Sequence, residues 1–295
     1  MTISVSDHAT TRFDVLVRSL GKRWLFLHAA LGFAFIYLPI LILVIYSFNA
    51  SRFNAVWRGF TFDWYRGLLQ TDSQLTANVT DTRIWDALQN SLLVAVISTL
   101  LATIFGTAIA LALERFRFPG RVIIDTLLFL PIVIPEITMG ISLLVFFSLV
   151  FRLIENLTGI RFTFGLPTII IGHVAFNISF VAITVRARLA ELDPAIEEVA
   201  LDLGANEWKT LFRVILPLIA PAIFSGALLA FTLSLDDFVV TFFTAGVGAT
   251  TLPLFVYGMI KFSVTPAINA ISTLMLLASL VLVIPALVVG TKELR

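Results

Sequence analysis

The stretch at residues 193–217, DPAIEEVALDLGANEWKTLFRVILP, is the long polar interval in the second half of a chain that is otherwise mostly apolar. Asp193-Pro194 predicts a helix start, because Asp caps free N–H groups and Pro is tolerated at the first helical position. Ile196, Val199, Ala200 and Leu203 follow at i, i+3, i+4, i+7 and share one face. Glu197 and Glu198 fall in the first turn, where negative charge suits the helix dipole. Gly204 then stands where a helix end takes positive φ, and Asn206 is placed to cap the next helix. Trp208, Leu211, Phe212 and Ile215 repeat the stripe before Pro217, which is expected to end the run. Two short amphipathic helices meeting at a glycine need a surface to dock on, either the membrane interface or another protein.

Glu198-Val199-Ala200, three residues, Gly204, nine residues, then Val214-Ile215-Leu216-Pro217 resembles the EAA loop of ABC-importer permeases. Val199 stands for the usual first Ala and Val214 for the usual Ile; both exchanges are conservative. The resemblance implies a cytoplasmic loop whose helices insert into a groove on an ATPase subunit. Its coupling residues would be Glu198, Val199, Ala200, Gly204, Trp208, Phe212, Leu216 and Pro217.

The rest of the chain agrees with a membrane setting. Of 295 residues, 59% are hydrophobic and 13% charged, which places the chain among polytopic membrane proteins. There is no Cys, which excludes a disulfide or thiolate metal site. The three His residues, His8, His28 and His173, lack metal-ligand spacing; His28 and His173 read as membrane-boundary or packing residues. A net charge of +1 gives no reason to expect a nucleic-acid partner.

Six apolar runs, at about 25–48, 89–113, 126–151, 167–187, 218–243 and 267–290, are each long enough to cross the hydrocarbon core. The first is too long for a signal-peptide core and is expected to be retained. Six crossings put both ends on one side. The N-terminus, 114–125, 186–217 and the tail together hold 13 Lys/Arg against 7 on the other side, so the positive-inside rule makes the first set cytoplasmic. The expected organisation is an all-α membrane protein. It has a cytoplasmic segment at 1–24, a six-helix transmembrane permease domain at 25–290 with a loop at 188–217, and a cytoplasmic tail at 291–295. On the opposite side, the segment at about 48–88 gathers Trp57, Phe60, Phe62, Trp64 and Tyr65, a cluster suited to lie along the bilayer surface or to face a partner.

Three acidic residues, Glu136, Asp236 and Asp237, lie within apolar runs that hold no deep Lys or Arg. A carboxylate at mid-membrane costs about 2.5–3.5 kcal/mol even on a lenient scale, so each requires a use or a wet environment. Pro131 and Pro135 in LPIVIPEITMG predict a kinked or broken third helix that frees carbonyls beside Glu136, a place to receive a cation or a kink held by hydrogen bonds. Read as one helix, FTLSLDDFVVTFFTAG sets Asp236 and Asp237 about 100° apart, with Asp237 on the face of Thr241 and Thr244. Phe238, Phe242 and Phe243 add flat apolar surface. The candidate solute pathway is therefore Glu136, Asp236, Asp237, Phe238 and Thr241, with Trp57 as the candidate from the aromatic cluster.

SFNASRF near Ser47, FTLSLDDFVV, TLPLFVYGMIK near Leu252 and TPAINAISTLMLLASLVLV near Thr265 together resemble the spermidine/putrescine permease family, C-type subunit. The resemblance runs from about residue 36 to 289. It implies the type I ABC importer permease fold in a bacterial inner membrane. It also implies a second permease, two ATPase subunits carrying ATP and Mg, and a periplasmic solute-binding protein. No cofactor is expected on this chain, which has no G-x-x-x-x-G-K-[ST] loop. Related permeases import iron, thiamine or opines, which stay open as solutes. A proton-coupled carrier using the same carboxylates is a competing class that would have no need of the loop at 193–217. An enzyme using the two Asp residues with a metal is disfavoured, because adjacent side chains on a helix diverge.

Overall fold

The computed structural model describes the backbone of residues 12–51, 56–69, 82–262 and 266–292, and the side chains of 21–51, 56–68, 84–261 and 266–281. The first eleven residues of the expected N-terminal segment, Arg52 and Phe53 of SFNASRF, and the last three residues of the tail lie outside the described residues. In chain order the helices are α1 (Arg12–Tyr46), α2 (Asp63–Leu69), α3 (Thr82–Arg115), α4 (Arg121–Val133), α5 (Glu136–Thr158), α6 (Leu166–Glu191), α7 (Ala195–Asp202), α8 (Glu207–Thr210), α9 (Leu216–Asp236), α10 (Val239–Thr244), α11 (Leu252–Phe262) and α12 (Pro266–Lys292). An isolated antiparallel bridge between Asn49 and Phe60 is the extended pairing among the described residues.

Five helical stretches are long and apolar enough to cross a membrane: Gly21–Tyr46, Ile84–Arg115, Glu136–Thr158, Leu166–Glu191 and Glu207–Asp236. The 27-residue α12 has the length for a sixth, about 40 Å. Helix α1 begins at Arg12, within the expected N-terminal segment. Two of the expected apolar runs are broken. The run at 126–151 is two helices, α4 and α5, separated by extended backbone at Ile134 and Pro135, the break that the two prolines predict. The run at 218–243 is also broken: α9 ends at Asp236, and Asp237 is extended with ψ 127°.

The chain divides into two compact units, residues 1–65 with 265–273, and residues 66–264 with 274–295. In the first, Asn49 organises a turn: its Oδ1 accepts from the N–H groups of Ser51 and Arg58 at 3.1 Å, and its amide donates to the Val56 carbonyl at 3.0 Å. Trp64 is buried, with Nε1–H donating to the Asn49 carbonyl at 2.8 Å, so this member of the aromatic cluster is a core residue. Phe60 and Phe62 remain exposed against Phe48.

In the second unit α3, α6 and α9 form the core, with Ala102 and Ala110 meeting Val181, Val185 and Leu189, and Ile219 and Ala230 closing the third side. Small residues let the backbones approach, as membrane helices require when lipid is as apolar as a side chain. A Cβ at Gly106 would lie 2.8 Å from Val181 Cβ, so only glycine fits that crossing. α4 packs on the same core through Leu128, beside Leu113 and Ala182. α5 rests against α10.

Candidate functional site

Both helix breaks open onto one cleft of about 380 Å³. Pro131, Ile132, Ile134 and Glu136 reach it from the first break, and Asp236, Asp237 and Phe238 from the second. The three candidate carboxylates are brought together, and among the described residues no Lys or Arg lines the cleft. Each break contributes one helix C-terminus and one N-terminus. The C-termini of α4 and α9 present orphan carbonyls with partial negative charge. The N-termini, which alone would favour an anion, are met by Glu136 in the first turn of α5 and by Asp237 ahead of α10. The balance therefore favours a cation.

The carboxylates differ in what they hold. Asp237 Oδ1 accepts from the Val240 N–H at 3.2 Å, and Oδ2 accepts from the Thr241 N–H at 2.8 Å and its hydroxyl at 2.9 Å. Asp237 thus caps α10, and the single-helix reading of Asp236 and Asp237 is replaced by a helix end followed by a capping residue. Asp236 is exposed and accepts the Ser279 hydroxyl at 3.2 Å. Glu136 is exposed and has no side-chain hydrogen bond or ion pair among the described residues. Thr241 is fully buried, with its hydroxyl donating to Asp237 and lying 3.0 Å from His173 Nε2. Phe238 lines the cleft with its ring 4.5 Å from that of Tyr257. Trp57 belongs to the other compact unit, where it lies edge-on to Tyr46 at 5.9 Å.

The residue that sequence reading missed is His173. It is fully buried on α6, with Nε2 3.1 Å from Asp237 Oδ2, so a residue read as boundary or packing also holds one of the three carboxylates. Ser234, Asn177 and Ser98 continue the polar network into the core. A signal was available in His173 and Asn177, spaced i, i+4 on one face of an apolar run.

The loop at 193–217 folds largely as its residues dictate. Asp193 accepts from the Ala195 N–H at 2.9 Å. α7 closes with Gly204 at φ +84°, where the Ala205 N–H donates to the Ala200 carbonyl and the Gly204 N–H to that of Leu201, the paired bonds of a glycine helix end. Asn206 Oδ1 then accepts from the Lys209 N–H at 2.8 Å. Pro217, however, ends nothing: α8 passes through a widened π turn at Leu211–Ile215 straight into α9, with Pro217 in the first turn of α9. Nor does each stripe form one buried or one exposed face. Ala200 and Ile215 are buried, whereas Leu203, Trp208 and Phe212 are exposed, at 83%, 70% and 60%. Val199, Glu198 and Pro217 are exposed as well, and Leu216 is half-buried. Trp208 and Phe212 stack with ring centres 6.0 Å apart. Arg115 at the end of α3 pairs with Glu197 and fixes α7 to the body.

Residues 102–291 match the family described as binding-protein-dependent transport system inner membrane component. The chain is 41% identical over 261 residues to the spermidine/putrescine transport system permease protein PotC of Escherichia coli (strain K12), covering 88% of this chain and 91% of that protein. It is 42% identical over 254 residues to the putrescine transport system permease protein PotI of the same strain, covering 86% and 85%. Among solved structures, a chain of a bacterial ABC transporter involved in the import of the acidic polysaccharide alginate shares the fold with a TM-score of 0.67 at 19% identity, over 95% of this chain and 98% of that one. A chain of the MetNI methionine ABC transporter gives 0.55 at 17%, over 75% and 99%. The multi-pass helical architecture, the glycine-hinged loop and these relatives agree: the chain belongs to the family of inner membrane components of binding-protein-dependent transport systems.

Proposed function

We propose that this chain forms half of an alternating-access pathway that imports a polyamine, putrescine or spermidine, and that it carries out no chemistry of its own. The observation that carries this reading is the cleft, where three carboxylates and two helix C-termini converge with no Lys or Arg among the described residues on its walls. The fold does not decide the charge of the cargo, because the alginate transporter has the same architecture and an acidic solute. A solute with amines at both ends of an alkyl chain matches a cleft lined by three carboxylates together with Phe238 and Phe176. The printed names of the 41% and 42% identical relatives support the same solute class.

The pathway is completed by a second permease subunit, and a periplasmic binding protein delivers the solute. Two ATPase subunits hold ATP and Mg and dock on the cytoplasmic loop at 188–217. Exposed Leu203, Trp208 and Phe212 provide apolar anchors of the kind that fill a groove. Both chain ends then lie in the cytoplasm, a placement that the Lys/Arg distribution supports.

The test is uptake of labelled putrescine and spermidine into vesicles containing the assembled complex, with and without ATP. ATP-dependent uptake of either, reduced in Asp236→Asn, supports the reading. Binding-protein-stimulated ATPase without polyamine uptake keeps the importer and removes this solute. Uptake abolished by an uncoupler but not by ATP depletion favours the proton-coupled carrier.

A further inference from the structure

His173 stands behind the cleft with every polar atom of its ring engaged. Nδ1 lies 3.0 Å from Ser234 Oγ on α9, and Nε2 lies 3.1 Å from Asp237 Oδ2 and 3.0 Å from Thr241 Oγ1. An ionised carboxylate only accepts, so Nε2 carries the proton and donates it toward Asp237. Ser234 Oγ in turn accepts from the Asn177 amide at 2.9 Å and lies 2.8 Å from Ser98 Oγ, so the ring is fixed to α3, α6 and α9 together. α10 is six residues long and cannot hold its own first turn, since helix nucleation is unfavourable at that length. Its start depends on the Asp237 cap, and among the described residues the one side-chain hydrogen bond to that cap from outside residues 237–241 comes from His173.

We propose that His173 is a positioning residue for solute capture: its Nε2–H holds Asp237 as the cap of α10, keeps the backbone broken after Asp236, and so keeps Asp236 and Phe238 facing the cleft. This rests on reading the cleft as the cation pathway. It also divides the carboxylates by role. Asp237 spends both oxygens on backbone and buried side chains, whereas Asp236, among the described residues, holds only the Ser279 hydroxyl and, with Glu136, remains for the solute. Without the donor, Asp237 is released toward the cleft and residues 237–238 revert to the continuous helix that their sequence favours.

The assembled complex carrying His173→Gln, His173→Asn or His173→Ala tests this by putrescine uptake and by amide hydrogen exchange at Val240 and Thr241. Gln places an amide N–H near the position of Nε2, and Asn places one near Nδ1. With Asn and Ala, the KM for putrescine rises at least about tenfold while the maximal rate changes by less than about threefold, as expected for loss of one charge-assisted hydrogen bond. Exchange at Val240 and Thr241 accelerates by at least about tenfold in the same two variants and stays near wild type with Gln. Unchanged exchange with Ala, or equal effects of Gln and Asn, overturns the proposal. If the wild-type complex takes up no putrescine, the polyamine reading fails and the exchange pattern alone decides the role of His173.

Discussion

Asp125 on α4 is bound by Arg186 on α6 through Nη1, and the same guanidinium donates from Nε to Glu114 on α3 at 3.1 Å. One planar fork thus ties together three helices, including the one that ends at the cleft with Pro131 and Ile132. Arg186→Ala removes the shared donor of both carboxylates, and it is expected to destabilise the chain by about 1–3 kcal/mol in thermal unfolding in detergent. Arg186→Lys recovers less than half of that, because an ammonium does not fork. Full stability in the Lys variant would show that the pairing geometry is unimportant.

Gly204→Val places a β-branched residue at φ +84°, at a strain of about 1–3 kcal/mol. ATP-driven uptake is expected to fall by about tenfold with binding-protein association retained, and Gly204→Asn is expected to be milder because Asn tolerates that conformation. ATPase rate and uptake measured in the same vesicles check it. Coupled transport at the normal rate in the Val variant sinks the docking-loop assignment.

Asp236→Asn and Asp237→Asn are expected to fail differently. The first removes a charge from the cleft and leaves the α10 cap intact, so KM for the polyamine rises and thermal stability stays within about 0.5 kcal/mol. The second weakens the cap and its contact with His173, and stability drops by about 1 kcal/mol as well. Equal stability losses in a side-by-side melt would contradict this division.

Trp208→Ala removes an exposed ring stacked on Phe212. The expected outcome is a loss of about 2 kcal/mol in affinity for the ATPase subunit, with little change in the thermal stability of this chain. Titration of the purified ATPase onto detergent-solubilised permease reads it directly, and an unchanged affinity removes Trp208 from the docking surface.

What was legible in the sequence followed from local physics. Gly204 and Asn206 announce a helix end and a helix start whatever surrounds them, and Pro131 with Pro135 breaks a helix through its own missing donors. Glu136, Asp236 and Asp237 stand out because bare carboxylates are costly in an apolar run, and the structure does gather them. The break after Asp236 was hidden, since no Pro or Gly marks it and its cap is held by a side chain from another helix. His173 was hidden for the same reason: its meaning depends on the crossing of α6 with α9. Pro217 misled because the π turn just before it, where the Leu216 N–H reaches the Leu211 carbonyl five residues back, widens the helix and lets the chain carry a residue with no N–H without stopping.

The uninterrupted passage from α8 into α9 makes Glu207–Asp236 a single rod of 30 residues, about 45 Å long. Trp208 is at one end and Asp236 at the other. A rotation of about 10° around the middle of such a rod moves each tip by about 4 Å in opposite directions. Trp208 and Asp236 therefore share one continuous helix, and a displacement imposed at the Trp208 end would reach the cleft edge along that backbone, with the extended residue Asp237 next in line.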